Sequence, residues 1–386
     1  MSWSVLRLDE VAEVVAGNPA PQESGDFVED GYLFIRMQDV GREHRTADLR
    51  TSTDRVGDES VSKYRLRLFP VGSVLIPKSG ASVNLNHRAM LGCEAYVVSH
   101  LAVIVPNKEK LLPEYLYYWS LSYDPRSQAQ TTSLPSLPLS LIKAALMPMP
   151  PLSEQRRIVD ILSRAEGIVR LRRDAEKKAA ELIPALFLDM FGDPATNPKG
   201  WTTAPFGAIG TLDRGKSRHR PRDAAELYGG AYPFIQTGDV ANSGGRITGY
   251  TTTYSELGLA QSRLWPRGTL CITIAANIAK TGVLDFDSCF PDSVVGFLPG
   301  ELVRTEYVQS WLGFLQPTLE ANAPQAAQKN INLEILRNLP VPVPPLDLQN
   351  VFDQRCAEIF SIQTQQTTAT AKAQATFDAL LAQVFG

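Results

Sequence analysis

From Arg214 to Arg222 the chain reads RGKSRHRPR, which puts five arginines or lysines and His219 into nine residues. Gly215 and Pro221 keep such a loop extended, so Lys216, Arg218, Arg220 and Arg222 can neutralise phosphates and lay a guanidinium fork on a guanine edge. A merely solvated basic loop has the same composition. The first half of the chain carries a sparser set: Arg42, His44 and Arg45, then Lys78, Ser79, Asn84, Asn86, His87 and Arg88 within PKSGASVNLNHR. At the matching place the second half has Asn277 and Lys280 in AANIAK. Small residues around a few amides and one lysine suit a close approach to DNA, and they equally suit a β turn. Gln38 and Gln236 stand at matching ends of strand-like runs, where a glutamine either binds adenine or satisfies a turn.

Bond-making chemistry finds no comparable support. A methyltransferase acting on an exocyclic amine is expected to show a [DNS]-P-P-[YFW] segment, and neither NPAP at Asn18 nor NPKGW at Asn197 fits. The sequence holds no G-x-x-x-x-G-K-[ST], no G-x-S-x-G and no H-E-x-x-H. Glu176-Lys177-Lys178, an E-x-K, lies in a charged helical pattern and reads as a solvated face. Cys93, Cys271, Cys289 and Cys356 are far apart, without a C-x-x-C, so reduced thiols are expected and neither a zinc site nor a disulfide framework. The expectation is a chain without catalytic residues, metal or cofactor of its own.

Recognition loops need elements to hold them, and the chain writes those elements twice. FIRMQDV at Phe34 and FIQTGDV at Phe234 are 200 residues apart (234 − 34), and LFPVGSVLIP at Leu68 and LWPRGTLCIT at Leu264 are 196 apart (264 − 68). PEYLYYW at Pro113 pairs with TEYVQSW at Thr305, and the Pro-Pro-Leu at Pro150 pairs with that at Pro344, an offset of 194 (344 − 150). Landmarks in one order with a slowly drifting offset mark an internal duplication.

Each copy has two unlike parts. Residues 1–150 and 193–343 mix short β-like runs (GSVLIP, AYVVSHLAVIVP, TLCITIA) with Gly, Pro and Asn turns and one helical stretch, the pattern of an α+β globule. Residues 151–192 and 344–386 are helical in pattern, with Ser153 or Asp347 placed to cap. In the first helix, Ile158, Ile161, Leu162, Ala165, Ile168, Val169, Ala175, Ala179 and Leu182 recur at spacings of three and four and leave the arginines outward. The second offers Phe352, Ile359, Phe377, Leu380, Leu381 and Val384 around a polar middle, so the two are expected to pair as an antiparallel coiled coil. Pro184 is expected to kink or interrupt the first helix, with FGDPATNPKGW as a linker. Residues 153–183 would make a spacer of about 45 Å.

At 386 residues the chain suits two domains. Its 44% hydrophobic and 20% charged residues, without a membrane-length apolar run or a secretory leader, predict a cytoplasmic globular protein. A net charge of −3 gives no overall pull toward nucleic acid, so any DNA contact rests on local patches.

PMPPLSEQRRIVDIL, LFLDMFGDPATNPKGW, the paired FIRMQDV and FIQTGDV, and AQKNINLEILRNLPVPVPPL closely resemble the specificity (S) subunit of type I restriction-modification systems, over essentially the whole chain. The resemblance implies two target recognition globules alternating with two helical repeat regions. It also implies a non-catalytic subunit that binds double-stranded DNA and directs two methyltransferase (modification) subunits that methylate adenine, with two restriction subunits in the full complex. S-adenosylmethionine, ATP and Mg are then expected on those partners and none of them on this chain. Glu154, Gln155, Arg156 and Gln349, at the helix starts, are the expected partner-binding residues. The alternative is a specificity-like DNA-binding scaffold serving a different fused-enzyme or phage-defence system. The globules differ where recognition would occur, GREHRT against ANSGGRIT, so unlike half-sites are expected.

Overall fold

The computed structural model describes residues 3–42, 45–125, 135–275, 278–321 and 331–386. These divide into two compact units, Met1–Asp174 with Thr368–Gly386, and Ala175–Thr367. Each unit therefore holds one globule and part of each of two 40-residue helices, Leu152–Phe191 and Leu346–Phe385.

The first globule is organised by a five-stranded sheet whose spatial order is Ala12–Ala16, Leu101–Pro106, Val74–Pro77, Arg88–Leu91 and Arg45–Leu49. The second repeats it with Gly210–Arg214, Val294–Pro299, Leu270–Thr273, Thr281–Leu284 and Arg246–Ile247. The register repeats as well. Val74 lies opposite Met90 and Ile104, and Leu270 lies opposite Val283 and Phe297. In both copies the last edge strand is the parallel one.

The continuous apolar runs arise because both sheet faces are covered. Successive side chains point to opposite sides. Val74, Ile76 and Ile104 join a core with Tyr115, Tyr118 and Trp119 of the helix Pro113–Ser122, while Leu75, Leu91 and Val103 join another with Phe34 and Phe69. The second unit alternates likewise, Leu270 and Phe297 toward Tyr307 and Trp311 of the helix Thr305–Ala321, Cys271 and Val294 toward Trp265 and Phe290. Burying each such side chain contributes about 1.5–3 kcal/mol.

Within each unit the two long helices run side by side and antiparallel. In the first, Ile158, Leu162 and Val169 share a core with Phe377 and Leu381. In the second, Phe187 and Phe191 meet the ring of Phe352 at 5.9 and 5.2 Å between centroids. The polar middle is joined by hydrogen bonds, Gln363 Nε2 to the Ala179 carbonyl at 2.8 Å and Arg173 Nη2 to Gln374 Oε1 at 2.9 Å. The apolar seam is narrower than its spacing suggests: Ile158, Leu162, Val169 and Ala179 are buried, whereas Ile161, Ile168 and Leu182 are exposed.

Pro184 does not interrupt the first helix, which continues to Phe191. Proline forfeits one backbone bond and crowds the preceding turn. Here the residues after it, Phe187, Met190 and Phe191, are buried in the second core and hold the last turn in place. The segment that follows is tied down, with Lys199 Nζ donating to the carbonyls of Asp189 and Met190 at 2.9 and 2.8 Å, as a cation at a helix C-terminus should. Trp201 Nε1 closes the turn onto the Phe191 carbonyl at 3.0 Å.

All four cysteines are free. Among the described residues no helix is long and apolar enough to cross a membrane.

Candidate nucleic-acid interface

The basic loop of the second unit is held in place largely through its backbone. Gly215 N donates to the Val294 carbonyl and Lys216 N to the Phe290 carbonyl, at 2.8 and 3.1 Å. A Cβ on Gly215 would lie 2.2 Å from the Phe290 carbonyl oxygen, so the close approach requires glycine. Gln261 Oε1 accepts from the backbone of both Arg218 and His219, at 2.5 and 3.0 Å, and Ser262 Oγ donates to the Lys216 carbonyl at 2.8 Å. Lys216 and Arg218 are exposed. The other cations are partly committed. Arg220 Nη1 donates to the carbonyls of Ser217 and His219, Arg222 pairs with Asp292 at 2.8 Å, and His219 Nδ1 lies 3.1 Å from the Pro221 carbonyl.

The matching loop of the first unit leaves the equivalent strand of its own sheet, Ala12–Ala16, through the same kind of glycine. A Cβ on Gly17 would lie 2.3 Å from the Val98 carbonyl oxygen. There the chain reads GNPAPQ and carries no cation. Asn18 is instead turned onto Arg67, accepting from its N–H at 2.6 Å and donating to its carbonyl at 2.9 Å. One scaffold thus presents a strongly basic loop in one copy and a neutral one in the other.

The remaining candidates of the first unit lie on three short segments, residues 37–42, 78–79 and 82–88. Gln38 and Arg42 lie exposed on the short helix Met37–Arg42, Gln38 donating to Thr53 Oγ1 at 2.8 Å and Arg42 pairing with Asp39 at 3.1 Å. His87 is their neighbour, since a Cβ on Gly41 would lie 2.9 Å from its Nδ1; burial, then the Arg88 charge, holds the imidazole below its ordinary pKa. Asn84 is exposed on the single helical turn Ser82–Leu85. Lys78 and Ser79 are half-buried, with Ser79 Oγ 2.7 Å from His100 Nδ1. Asn86 adopts a left-handed conformation, φ 53°, and its Oδ1 accepts from Arg88.

Three expectations need correction. Arg88 is only 1% exposed: its guanidinium donates to the carbonyls of Ser120, His87 and Tyr123 and to Asn86 Oδ1, at 2.7–2.9 Å, so it builds the loop and offers nothing to a ligand. Arg45, half-buried on the edge strand, has its Nε buried without a hydrogen-bond partner and acts on Tyr117 and Glu166 inside the unit. Gln38 and Gln236 are not equivalent. Asp39 and Asp239 are, because each accepts from the backbone N–H three residues earlier at 2.8 Å, of Arg36 and of Gln236. Gln236 therefore matches Arg36, and Gln38 matches Gly238; the side chain of Gln236 is exposed. Lys280 is exposed just before the strand Thr281–Leu284, its backbone bonded to Thr273, while His44 and Asn277 lie outside the described residues.

Residues 1–181 and 198–376 each match the type I restriction modification DNA specificity domain. The chain belongs to the type I restriction-modification specificity subunits. It is 21% identical over 422 residues to the specificity subunit of the type I restriction enzyme EcoBI of Escherichia coli, covering all of this chain and 85% of that one. Two solved structures share its fold. One, described as the structural basis of complex assembly and conformational transition of the type I R-M system, has a TM-score of 0.59 at 20% identity and covers all of this chain and 97% of its own. The other, the type I S subunit from M. genitalium, has a TM-score of 0.55 at 14% identity and covers all of this chain and 96% of its own. The matched domain is one of DNA recognition, and the specificity subunit is the non-catalytic member of its system.

In this specificity subunit the helix starts are built differently from the sequence expectation. Gln155 and Gln349 are fully buried and so do not face a partner. Gln155 accepts from Leu112 N at 2.9 Å and donates to the carbonyls of Lys110 and Pro150 at 2.9 and 3.0 Å. Gln349 repeats all three bonds, with Arg304 N at 2.8 Å and the carbonyls of Leu302 and Pro344 at 3.0 and 2.8 Å. A tyrosine accompanies each, Tyr115 Oη on the Pro148 carbonyl at 2.9 Å and Tyr307 Oη on the Pro342 carbonyl at 2.6 Å. Each glutamine clamps a long helix to its own globule. Glu154 forms a two-toothed pair with Arg157 at 2.8 and 2.6 Å, and Arg156 points outward.

Proposed function

We propose that this specificity subunit reads a bipartite target in double-stranded DNA, two short unlike half-sites separated by a fixed gap, one half-site to each globule. The globules are residues 1–150 and 193–343, and the helical regions 151–192 and 344–386 set the gap. Those helices recruit and orient two adenine methyltransferase subunits, which bring S-adenosylmethionine, and two restriction subunits complete an assembly that uses ATP and Mg in the cytoplasm. The observation that carries the reading is the pairing of identical sheet order and register with unlike loops: GNPAPQ in one copy, RGKSRHRPR in the other. A duplicated scaffold suits two related placements on a duplex, and diverged loops suit different sequences. Recruitment is supported by Ile161, Ile168 and Leu171, which lie exposed on the first long helix at heptad-compatible spacing.

Lys216 and Arg218 are the cations best placed for phosphate, being exposed and without side-chain partners among the described residues. Arg220 is a poorer test, since its removal would also loosen the loop it braces. Replacing Lys216 and Arg218 with alanine lowers the slope of log Kobs against log salt by about 0.9 for each phosphate that is no longer neutralised. A salt titration of the complex with unchanged slope and affinity would take this loop out of the interface.

A further inference from the structure

In the first unit the loop that leaves Ala12–Ala16 rests on the residues that end the short helix Asp58–Lys63. Gln22 N donates to Tyr64 Oη at 3.5 Å, and Asn18 bonds both backbone groups of Arg67. The second unit builds the same kind of support from Gln261 and Ser262, which hold the basic loop at Arg218, His219 and Lys216. The supporting segment is longer in the first unit, 11 residues from the helix N-cap Gly57 to Leu68 (68 − 57) against 9 from Ser255 to Leu264 (264 − 255).

The longer segment contains a tight helix ending. Leu66 N donates to the Val61 carbonyl at 3.0 Å and Arg65 N to the Ser62 carbonyl at 3.3 Å, the pair of bonds that ends a helix through one left-handed residue. Val61 and Leu66 join the same apolar core, which fixes that ending. The left-handed residue is Arg65, at φ 49°. Glycine is the usual occupant of such a position, because a Cβ there crowds the neighbouring carbonyl. An arginine adds strain to the turn without adding a backbone bond, and strain kept in this way points to a use for the side chain. Between Ser255 and Leu264 the second unit holds no left-handed residue.

The Arg65 side chain is exposed and has no partner among the described residues. Its neighbouring cations are committed. Lys63 Nζ pairs with Glu23 and Asp26 at 3.2 and 3.0 Å, and Arg67 spans both carboxylate oxygens of Glu13 at 2.8 and 2.6 Å. The loop alongside, GNPAPQ, brings no cation of its own. We propose that Arg65 contacts a DNA phosphate for the first globule, supplying from the supporting segment the charge that the second globule carries in the loop itself. The inference rests on the reading that this loop faces DNA in each globule, and it adds the residue that makes the contact where the loop is neutral.

The test uses Arg65→Gly, which removes the cation and relieves the left-handed strain, and so should unfold no earlier than the parent chain. Arg65→Lys keeps a charge on the same backbone. Each is assembled with the methyltransferase encoded beside this chain and titrated with salt on a duplex carrying the motif that methylation mapping yields. In Arg65→Gly the slope of log Kobs against log salt falls by about 0.9, and affinity near 0.1 M salt drops roughly five- to tenfold. Arg65→Lys retains both, and the methylated motif is the same in all three, since a phosphate contact carries no base preference. Unchanged slope and affinity in Arg65→Gly, where Lys216→Ala with Arg218→Ala lowers them, would overturn the inference and leave the reading of the loops standing. A base relaxed in the motif with the slope unchanged would make Arg65 a base reader and overturn the phosphate assignment. No split motif from mapping, or no change of slope in either set of variants, would overturn the underlying reading first, and this inference with it.

Discussion

Lengthening both long helices by seven residues, one insertion after Asp174 and the other after Thr367, widens the gap between the methylated half-sites by about three base pairs. Seven helical residues add about 10.5 Å at 1.5 Å each, against about 3.4 Å per base pair. The insertions must be paired because the helices are antiparallel neighbours, with Arg173 on Gln374 and Ala179 on Gln363. An insertion in one helix alone would shift those partners out of register. A seven-residue step also keeps the apolar seam nearly in phase, whereas four residues would rotate it by about 40°. Methylation found only at the parent spacing would contradict the spacer role.

The second large effect is expected at the glutamine clamps. Gln155→Ala removes three hydrogen bonds at a fully buried position and strands the Leu112 N–H and two carbonyls. Unpaired buried backbone groups cost about 1–3 kcal/mol each when no water replaces the partner. The first unit should therefore lose roughly 2–4 kcal/mol in urea unfolding, and Gln349→Ala should cost the second unit about as much. Because the clamps sit in different units, the double variant should show additive losses. A loss below about 0.5 kcal/mol, the range of ordinary surface substitutions, would show that the helix starts are not clamped this way.

The duplication was legible because apolar landmarks resist change: Phe34 and Phe234 are both buried, as are Trp119 and Trp311. The α+β character followed from continuous Val and Ile runs, and the helix pair from spacing. Sheet order was not legible, since it rests on pairings of distant strands such as Ala12–Ala16 with Leu101–Pro106. Charge misled in two directions. Arg88 reads as one more cation in a polar loop, and nothing local announces that four acceptors surround it. Gln155 sits in the polar run SEQRR, indistinguishable from a solvated helix opening. The signal that could have found it is recurrence: LSEQRRI and LDLQNVF share their Leu and Gln and little else, and a polar residue kept through such divergence points to a structural bond. Pro184 followed the local rule only in part, because the aromatic residues after it are held by the second core. The basic loop was legible as composition, while the grading of its cations, Lys216 and Arg218 outward and Arg220 and Arg222 engaged, required the bonds to Gln261 and Asp292.

The central claim is that one chain reads two unlike half-sites across a fixed gap. The most direct measurement is to co-express it with the adjacent methyltransferase in a host lacking adenine methylation and map N6-methyladenine across the genome. The account predicts one split motif, two short unlike halves at a constant spacing, with an adenine modified in each. Methylation at a single continuous site, or none although both chains are soluble and associated, would contradict it.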